Sequence, residues 1–367
     1  MNTRTRARDA RIDIIRGAAM LTIVINHLTS AFQNYGFAGA EIMTPTSFGY
    51  SSSAALFVTM SGYMVGLVYL KKPKPANAVL KRALQLYIYN ALLFACVVPI
   101  IFLMSEIEGA KWGANLIVRD AKIGVFEFLG LVKAPILLDV LQLYIIFMIC
   151  TPAALWLYRK SATALAGVSI MLWALSQLAT ASHYIDPQRV QWGFNPAAWQ
   201  ILFFIPLILG ARREHENLFN LLKRHKWVTV GTAVIIVVFA IAKLNHIEEG
   251  IRGMRILTSK GNLGALRLFH AVLVLVLYCG LLSLSERIPK LPPMRALACL
   301  GRQTLKCYVL SVWLTYSLTV TWDRMNGGDE VYYYSLAFAV LVTFAAAAIF
   351  DAGTLKKPKA SLIPVES

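Results

Sequence analysis

The sequence predicts an all-α integral membrane protein of about ten transmembrane helices, with both termini in the cytoplasm. Three observations carry that expectation. First, 57% of the 367 residues are hydrophobic and only 15% are charged, with a mean hydropathy of +0.60. Soluble chains run nearer ~45–50% apolar and ~25% charged, so a soluble enzyme, a secreted disulfide scaffold and a disordered chain are excluded. Second, apolar runs of the ~20 residues that a membrane helix needs recur from end to end. They lack the ~10-residue alternation of barrel strands. Third, Lys and Arg are shared unevenly between the loops of the two sides.

The spans read as about 12–32, 50–70, 82–104, 136–158, 162–181, 198–211, 227–244, 265–285, 303–321 and 332–351. The first follows Arg4, Arg6, Arg8 and Arg11. It is interrupted by Asp13, Arg16 and His27, which a leader cleaved near Ala38-Gly39-Ala40 has no reason to carry. The second ends at the stiff turn Lys71-Lys72-Pro73-Lys74-Pro75. The third opens with polar residues, so its lower end needs shielding by neighbours. Arg159 and Lys160 separate the fourth from the fifth, and the short sixth starts in the Asn195-Pro196 turn. Lys223, Arg224 and Lys226 precede the seventh, Arg267 enters the eighth, Arg302 precedes the ninth, and Lys356, Lys357 and Lys359 follow the tenth. With the N-terminus inside, and with Arg82, Lys243 and Arg267 at span ends counted with their adjoining loops, 23 of the 36 Lys and Arg lie in cytoplasmic segments and 11 in external ones, while Arg16 and Lys306 fall within spans. That asymmetry satisfies the positive-inside rule. Residues 1–354 read as one polytopic membrane domain, and 355–367 as a polar cytoplasmic tail.

The net charge of +17 is explained by those basic loops facing membrane lipid. No aromatic-basic soluble module exists for nucleic acid, which is not an expected partner. Cys96, Cys150, Cys279, Cys299 and Cys307 are odd in number and lie in or beside apolar runs, against a disulfide framework. The six histidines lack metal-ligand spacing, so no metal is expected, and no Gly-rich phosphate loop or nucleophile elbow occurs.

Ionisable residues inside membrane spans are costly and mark functional candidates. At 100° per residue, Arg16 falls about 60° and His27 about 40° from Asp13, on the same side. Eleven residues separate Arg16 from His27, or ~16 Å along a helix axis. Asp13 and Arg16 suit an ordinary interfacial ion pair as well as a functional one. Histidine exchanges protons near neutral pH, which makes His27 a candidate general base.

Asp13-x-x-Arg16-Gly17 followed by His27 resembles the opening helix of the acyltransferase-3 superfamily of membrane O-acyltransferases, and Phe57-Val58-Thr59-Met60-Ser61-Gly62-Tyr63 resembles its next motif. The closer resemblance is to the OpgC branch, which succinylates osmoregulated periplasmic glucans. It continues through Lys81–Tyr87, Leu138–Tyr144, Phe194–Gln200, Leu266–His270 and Leu300–Leu305, covering most of the chain in order. Two positions depart from the pattern. Gln85 stands where the wider superfamily usually has a second arginine, and Asn26 precedes the histidine where the OpgC branch often has an acid.

The resemblance implies an inner-membrane O-acyltransferase that holds no bound cofactor and uses succinyl-CoA as co-substrate, with a periplasmic glucan as acceptor and the glucan-synthesis machinery as a partner. His27, with Asp13 and Arg16, would be catalytic. Arg16, Arg82, Gln85, Arg302 and Lys306 would meet the donor, an Arg fork suiting phosphate. Asp139, Gln142, Asn195, Trp199, Arg267 and His270 would meet the acceptor. Each has a plainer reading as a snorkelling cation, an interhelical hydrogen bond or, for Trp199, an interfacial anchor. The external segment 245–267 runs against the charge bias, and Arg252, Arg255, Lys260 and Arg267 there read either as a solvated loop or as an anion-binding lip. Gly62-Tyr63-Met64-Val65-Gly66 is a close-packing pattern. The alternatives are O-acetylation of another surface polysaccharide and proton-coupled transport.

Overall fold

Asp9 opens the first helix: its carboxylate accepts the Arg11 backbone N–H at 2.9 Å and satisfies one of the donors orphaned at a helix start. The helix, α1 (Ala10–Asn34), runs on for 25 residues. This computed structural model describes residues 8–182, 193–247 and 253–355, and every regular element among them is helical. In chain order there follow α2 (Ser53–Tyr69), α3 (Pro75–Phe102), α4 (Glu106–Lys111), α5 (Asn115–Arg119), α6 (Ala121–Leu129), α7 (Asp139–Lys160) and α8 (Ala162–Ala181). Then come α9 (Pro196–Trp199), α10 (Ile201–Ala211), α11 (His215–Arg224), α12 (Lys226–Leu244) and α13 (Met254–Leu257). The last are α14 (Ala265–Ser283), α15 (Pro292–Arg302), α16 (Thr304–Arg324) and α17 (Asp329–Leu355).

A helix occupies each of the ten expected segments, but only seven are both long and apolar enough to cross a membrane. These are α1, α3, α7, α8, α12, α14 and α17, and they make the chain a multi-pass membrane protein. The second segment falls short at 17 residues, and the sixth is a shorter apolar helix broken at Gln200. The ninth, α16, has the length but carries Thr304, Ser311, Thr315 and Thr319 along its buried side. Boundaries moved where local chemistry acts. Pro75, pre-set for the first helical turn, starts α3 seven residues early, and Leu137, with φ of +76°, delays α7 to Asp139. The segment after α3 folds into three short helices that apolar periodicity does not announce. Ser105 and Glu108 close a capping box on the first of them. Arg4, Arg6, Arg252 and the tail beyond Leu355 lie outside the described residues.

Burial sorts the helices. Over the most apolar window, 67% of α1 and 61% of α7 are buried, against 17% of α8 and 22% of α12. So α1 and α7 form the axis, while α8 and α12 present Leu, Val and Ile to the surrounding lipid. The glycine pattern on α2 packs against α10: a Cβ on Gly62 or Gly66 would overlap the carbonyls of Phe203 or Leu207. Backbone contact of that kind needs small residues. Gly17 and Gly301 permit the same approach between α1 and α15. The ends of α1 and α12 and the starts of α2, α7 and α14 come together at one end of the bundle.

Candidate functional site

At that end, α1, the 41–54 segment, the start of α7, the end of α12 and the turn before α14 enclose a cavity of about 430 Å³. His27, Asp139, Lys260, Lys243 and the Ser51-Ser52-Ser53 run are on its wall. His27 is placed there by the helical register of α1, with the ring of Tyr308 edge-on at 6.0 Å and 76°. The Tyr308 hydroxyl donates to the Leu137 carbonyl and so shapes the turn that delivers Asp139. The Nδ1 of His27 is buried and has no hydrogen-bond partner. Leaving such an atom unpaired costs about 1–3 kcal/mol. His27 is thus a half-buried imidazole on the wall of a polar cavity, with one ring nitrogen sealed from solvent and unpaired.

The neighbours of His27 have other duties. Asn26 accepts from the Thr44 hydroxyl at 2.9 Å and donates to Thr46 at 2.8 Å, clamping that segment over the cavity rather than supporting the imidazole. Asp139 accepts the Val140 N–H at 2.9 Å. The expected acceptor residues divide accordingly. Asp139 lines the cavity; Gln142, Trp199 and His270 do not. Gln142 is buried with its amide donating to the Phe128 and Lys133 carbonyls at 3.1 and 3.4 Å. Trp199 is wholly enclosed, and its indole N–H serves the Lys260 and Gly261 carbonyls at 3.0 and 3.1 Å. It offers no face for a sugar and is no interfacial anchor. Asn195 is bound to Asn262 at 2.8 Å, and Arg267 gives two bonds to the Thr258 carbonyl at 3.1 and 2.9 Å. His270 is likewise fully buried. Its Nε2–H points at the Phe48 carbonyl at 3.1 Å, which leaves Nδ1 to accept from the Ser51 hydroxyl at 2.8 Å and the Ser51 N–H at 3.2 Å. A Cβ on Gly49 would strike that ring. His270 thus carries the serine segment from below.

The expected donor residues lie at the other end of α1, ~16 Å away along the axis. Asp13 is buried, and its two oxygens accept from the Nε and one Nη of Arg8, each at 2.6 Å. Arg16 stands farther off, 3.5 Å from Asp13, and donates to the Thr304 hydroxyl at 2.9 Å. Arg82 and Tyr144 lie within electrostatic reach of both Arg16 and Tyr69. Gln85 is bound to Arg82 at 2.7 Å on the same helix face. Arg302 and Lys306 point elsewhere: Arg302 forms a fork with Asp351 at 2.9 and 2.6 Å, and Lys306 sits 4.8 Å from the Phe350 ring. Sequence reasoning missed Arg8, Asp351 and Tyr308 as participants. Asp351 was detectable as an acid inside the last apolar run. Among the described residues no group of three or more His, Cys, Asp or Glu is assembled to hold a metal.

Residues 8–353, nearly the whole chain, match the family model described as OpgC protein. The chain belongs to the OpgC family. No curated protein and no solved structure matches it. Membership makes this OpgC chain an acyltransferase-type enzyme of a multi-pass membrane class. The His27 cavity lies at one end of α1 and the arginines Arg8 and Arg16 at the other.

Proposed function

We propose that this OpgC-family chain is an inner-membrane succinyltransferase of the acyltransferase-3 superfamily, moving a succinyl group from succinyl-CoA to hydroxyls of osmoregulated periplasmic glucans. The reading carries with it ten spans, cytoplasmic termini, and the His27 cavity opening toward the periplasm. The observation that carries it is His27, half-buried on the wall of a polar cavity with no hydrogen-bond partner at its Nδ1, in an OpgC-family chain.

Succinyl-CoA binds from the cytoplasm with its phosphates near Arg16 and Arg82, and its pantetheine arm follows the polar face of α1. A glucan hydroxyl enters the cavity from the other side. His27 takes the hydroxyl proton as the oxygen attacks the thioester carbonyl. The C–S bond then breaks, and the imidazolium returns the proton to the departing CoA thiolate. Positioned general-base catalysis is worth roughly 10²–10⁴ in rate. Donor and acceptor meet inside the protein, so no covalent intermediate is needed.

The test is mass spectrometry of periplasmic glucans from a deletion strain complemented with wild type or with His27→Ala. Succinyl increments should vanish on deletion and return with wild type alone. Glucans unchanged throughout would remove the acceptor assignment. Increments restored by His27→Ala would remove His27 as the base.

A further inference from the structure

We propose that Lys260 selects the acyl donor, its ammonium receiving the terminal carboxylate of a dicarboxylic acyl chain whose reacting carbonyl lies beside His27. This rests on the acyl-transfer reading above and names the residue that distinguishes a succinyl donor from an uncharged one.

Two lysines are on the cavity wall, and their surroundings differ. Lys243 reaches the Ser47 carbonyl at 3.3 Å. Lys260 forms no ion pair with any described carboxylate, and its ammonium lies 5.4 Å from the Phe194 ring. The acids of the wall are already engaged: Glu41 accepts from the Gln33 amide at 2.9 Å, and Asp139 takes the Val140 N–H at 2.9 Å. Asp139 acts on Lys260 only from beyond ion-pair distance. The positive field of Lys260 also reaches His27. A cation held this way in a chamber shared with the base is a receptor for an anion.

The backbone around it is built for placement. The Lys260 and Gly261 carbonyls accept the Trp199 indole N–H at 3.0 and 3.1 Å, and the Gly261 carbonyl also accepts the Asn195 N–H at 2.8 Å. The Asn262 amide reaches the Ser176 carbonyl at 2.9 Å and the Thr180 hydroxyl at 2.8 Å. The Asn262 and Leu263 carbonyls accept from Gln177 at 2.8 Å and Trp173 at 3.0 Å. Leu263, fully buried, adopts a φ of +45°, a costly conformation for a side chain of its kind. Connecting segments are ordinarily the mobile part of a fold. This one is fastened from α8 and α9 at four consecutive residues, and Lys260 is the charge it presents to the cavity. Preorganisation of that kind lowers the ordering cost of binding.

A succinyl thioester differs from an acetyl one by a carboxylate two methylenes beyond the carbonyl. A site that meets this carboxylate with a cation favours the succinyl donor through a charge-assisted bond that the acetyl one cannot make. Loss of one charge-assisted hydrogen bond corresponds to roughly a ten- to hundredfold change.

The experiment offers purified protein equal concentrations of succinyl-CoA and acetyl-CoA, with extracted periplasmic glucan as acceptor, and reads the ratio of succinyl to acetyl product by mass spectrometry. Lys260→Gln should lower that ratio roughly ten- to hundredfold, and Lys260→Arg should keep most of it. Both products falling in parallel would mean a structural or general catalytic role and would overturn the assignment. A measurement that needs no variant accompanies it: free succinate should inhibit wild-type succinyl transfer well below the concentration at which butyrate does. Equal inhibition by the two acids also overturns the proposal. Wild type that transfers neither group to glucan removes the acyl-transfer reading itself and this one with it, whereas transfer with an unaltered ratio in Lys260→Gln removes only the role of Lys260.

Discussion

The carboxylate of Asp13 is gripped through both oxygens by Arg8, five residues earlier, at 2.6 Å each, while Arg16 on the next turn stays 3.5 Å away. The pair that helical spacing favours is therefore the weaker one. Arg8 folds back from ahead of the helix and neutralises Asp13, which leaves most donor positions of the Arg16 guanidinium for a ligand.

That division predicts opposite phenotypes for two adjacent charges. Asp13→Asn should lower the melting temperature of the purified protein, since a buried acceptor of charged hydrogen bonds is lost, worth about 1–3 kcal/mol. Arg16→Ala should leave the melting temperature nearly unchanged and raise the KM for the acyl-CoA about tenfold or more. Equal loss of stability in both variants would make Arg16 a structural partner of Asp13.

His27→Ala should reduce turnover by about 10²–10⁴ without lowering the melting temperature. Truncation removes a buried nitrogen that has no partner, so stability should hold or rise slightly. Circular dichroism and thermal unfolding read stability, and single-turnover acyl transfer reads the chemistry. A large fall in melting temperature would show the imidazole to be a packing element.

The α2–α10 seam offers a test of the fold. Gly66→Leu drives a side chain into the Leu207 carbonyl, and the loss should exceed the ~1–3 kcal/mol typical of overpacking because backbone rather than a flexible side chain must yield. Low yield of monodisperse protein is the expected readout. Gly231→Leu on α12 is the control: nothing lies within 4 Å of a Cβ there, so yield should hold.

How much was legible from residue order follows from the range over which each feature is encoded. Helices announce themselves through local apolar runs, so a helix falls in each of the ten expected segments, seven of them long and apolar enough to cross a membrane. The stripe of Asp13, Arg16 and His27 follows from helical period alone. The cavity does not: Tyr308 reaches Leu137 across 171 positions and His270 reaches Ser51 across 219, and no periodicity records either. A sugar platform and an interfacial anchor, the two roles expected of Trp199, both suit an exposed ring. Burial of that ring under the Lys260 turn is a tertiary fact. The short helices between 106 and 129 depend on caps at Ser105 and Asp120, which are weak signals beside the long apolar runs.

Trp199→Phe separates the two roles of that ring. Phenylalanine keeps the aromatic bulk and removes the one N–H that serves the Lys260 and Gly261 carbonyls. The variant should lose roughly 1–2 kcal/mol of stability and should blur donor preference, with the KM for glucan unchanged. A raised KM for glucan with intact donor preference would restore Trp199 to the acceptor site.

Arg302 and Asp351 form a fork across 49 residues, joining the end of α15 to the last helix near the end of the bundle where Arg16 lies. With the Arg302 side chain a third exposed and that of Asp351 mostly covered, solvent screens part of the interaction, and its coupling should be about 1 kcal/mol. A double-mutant cycle of Arg302→Ala and Asp351→Ala read by thermal unfolding should therefore be non-additive by that amount. The same variants decide whether Arg302 meets the donor. A guanidinium whose charge is already balanced by a carboxylate bound through Nε and one Nη has less to give a CoA phosphate, so Arg302→Ala and Asp351→Ala should both leave the KM for acyl-CoA within about twofold of wild type. A tenfold rise in Arg302→Ala alone would show that the donor displaces Asp351 and that the fork opens during the catalytic cycle.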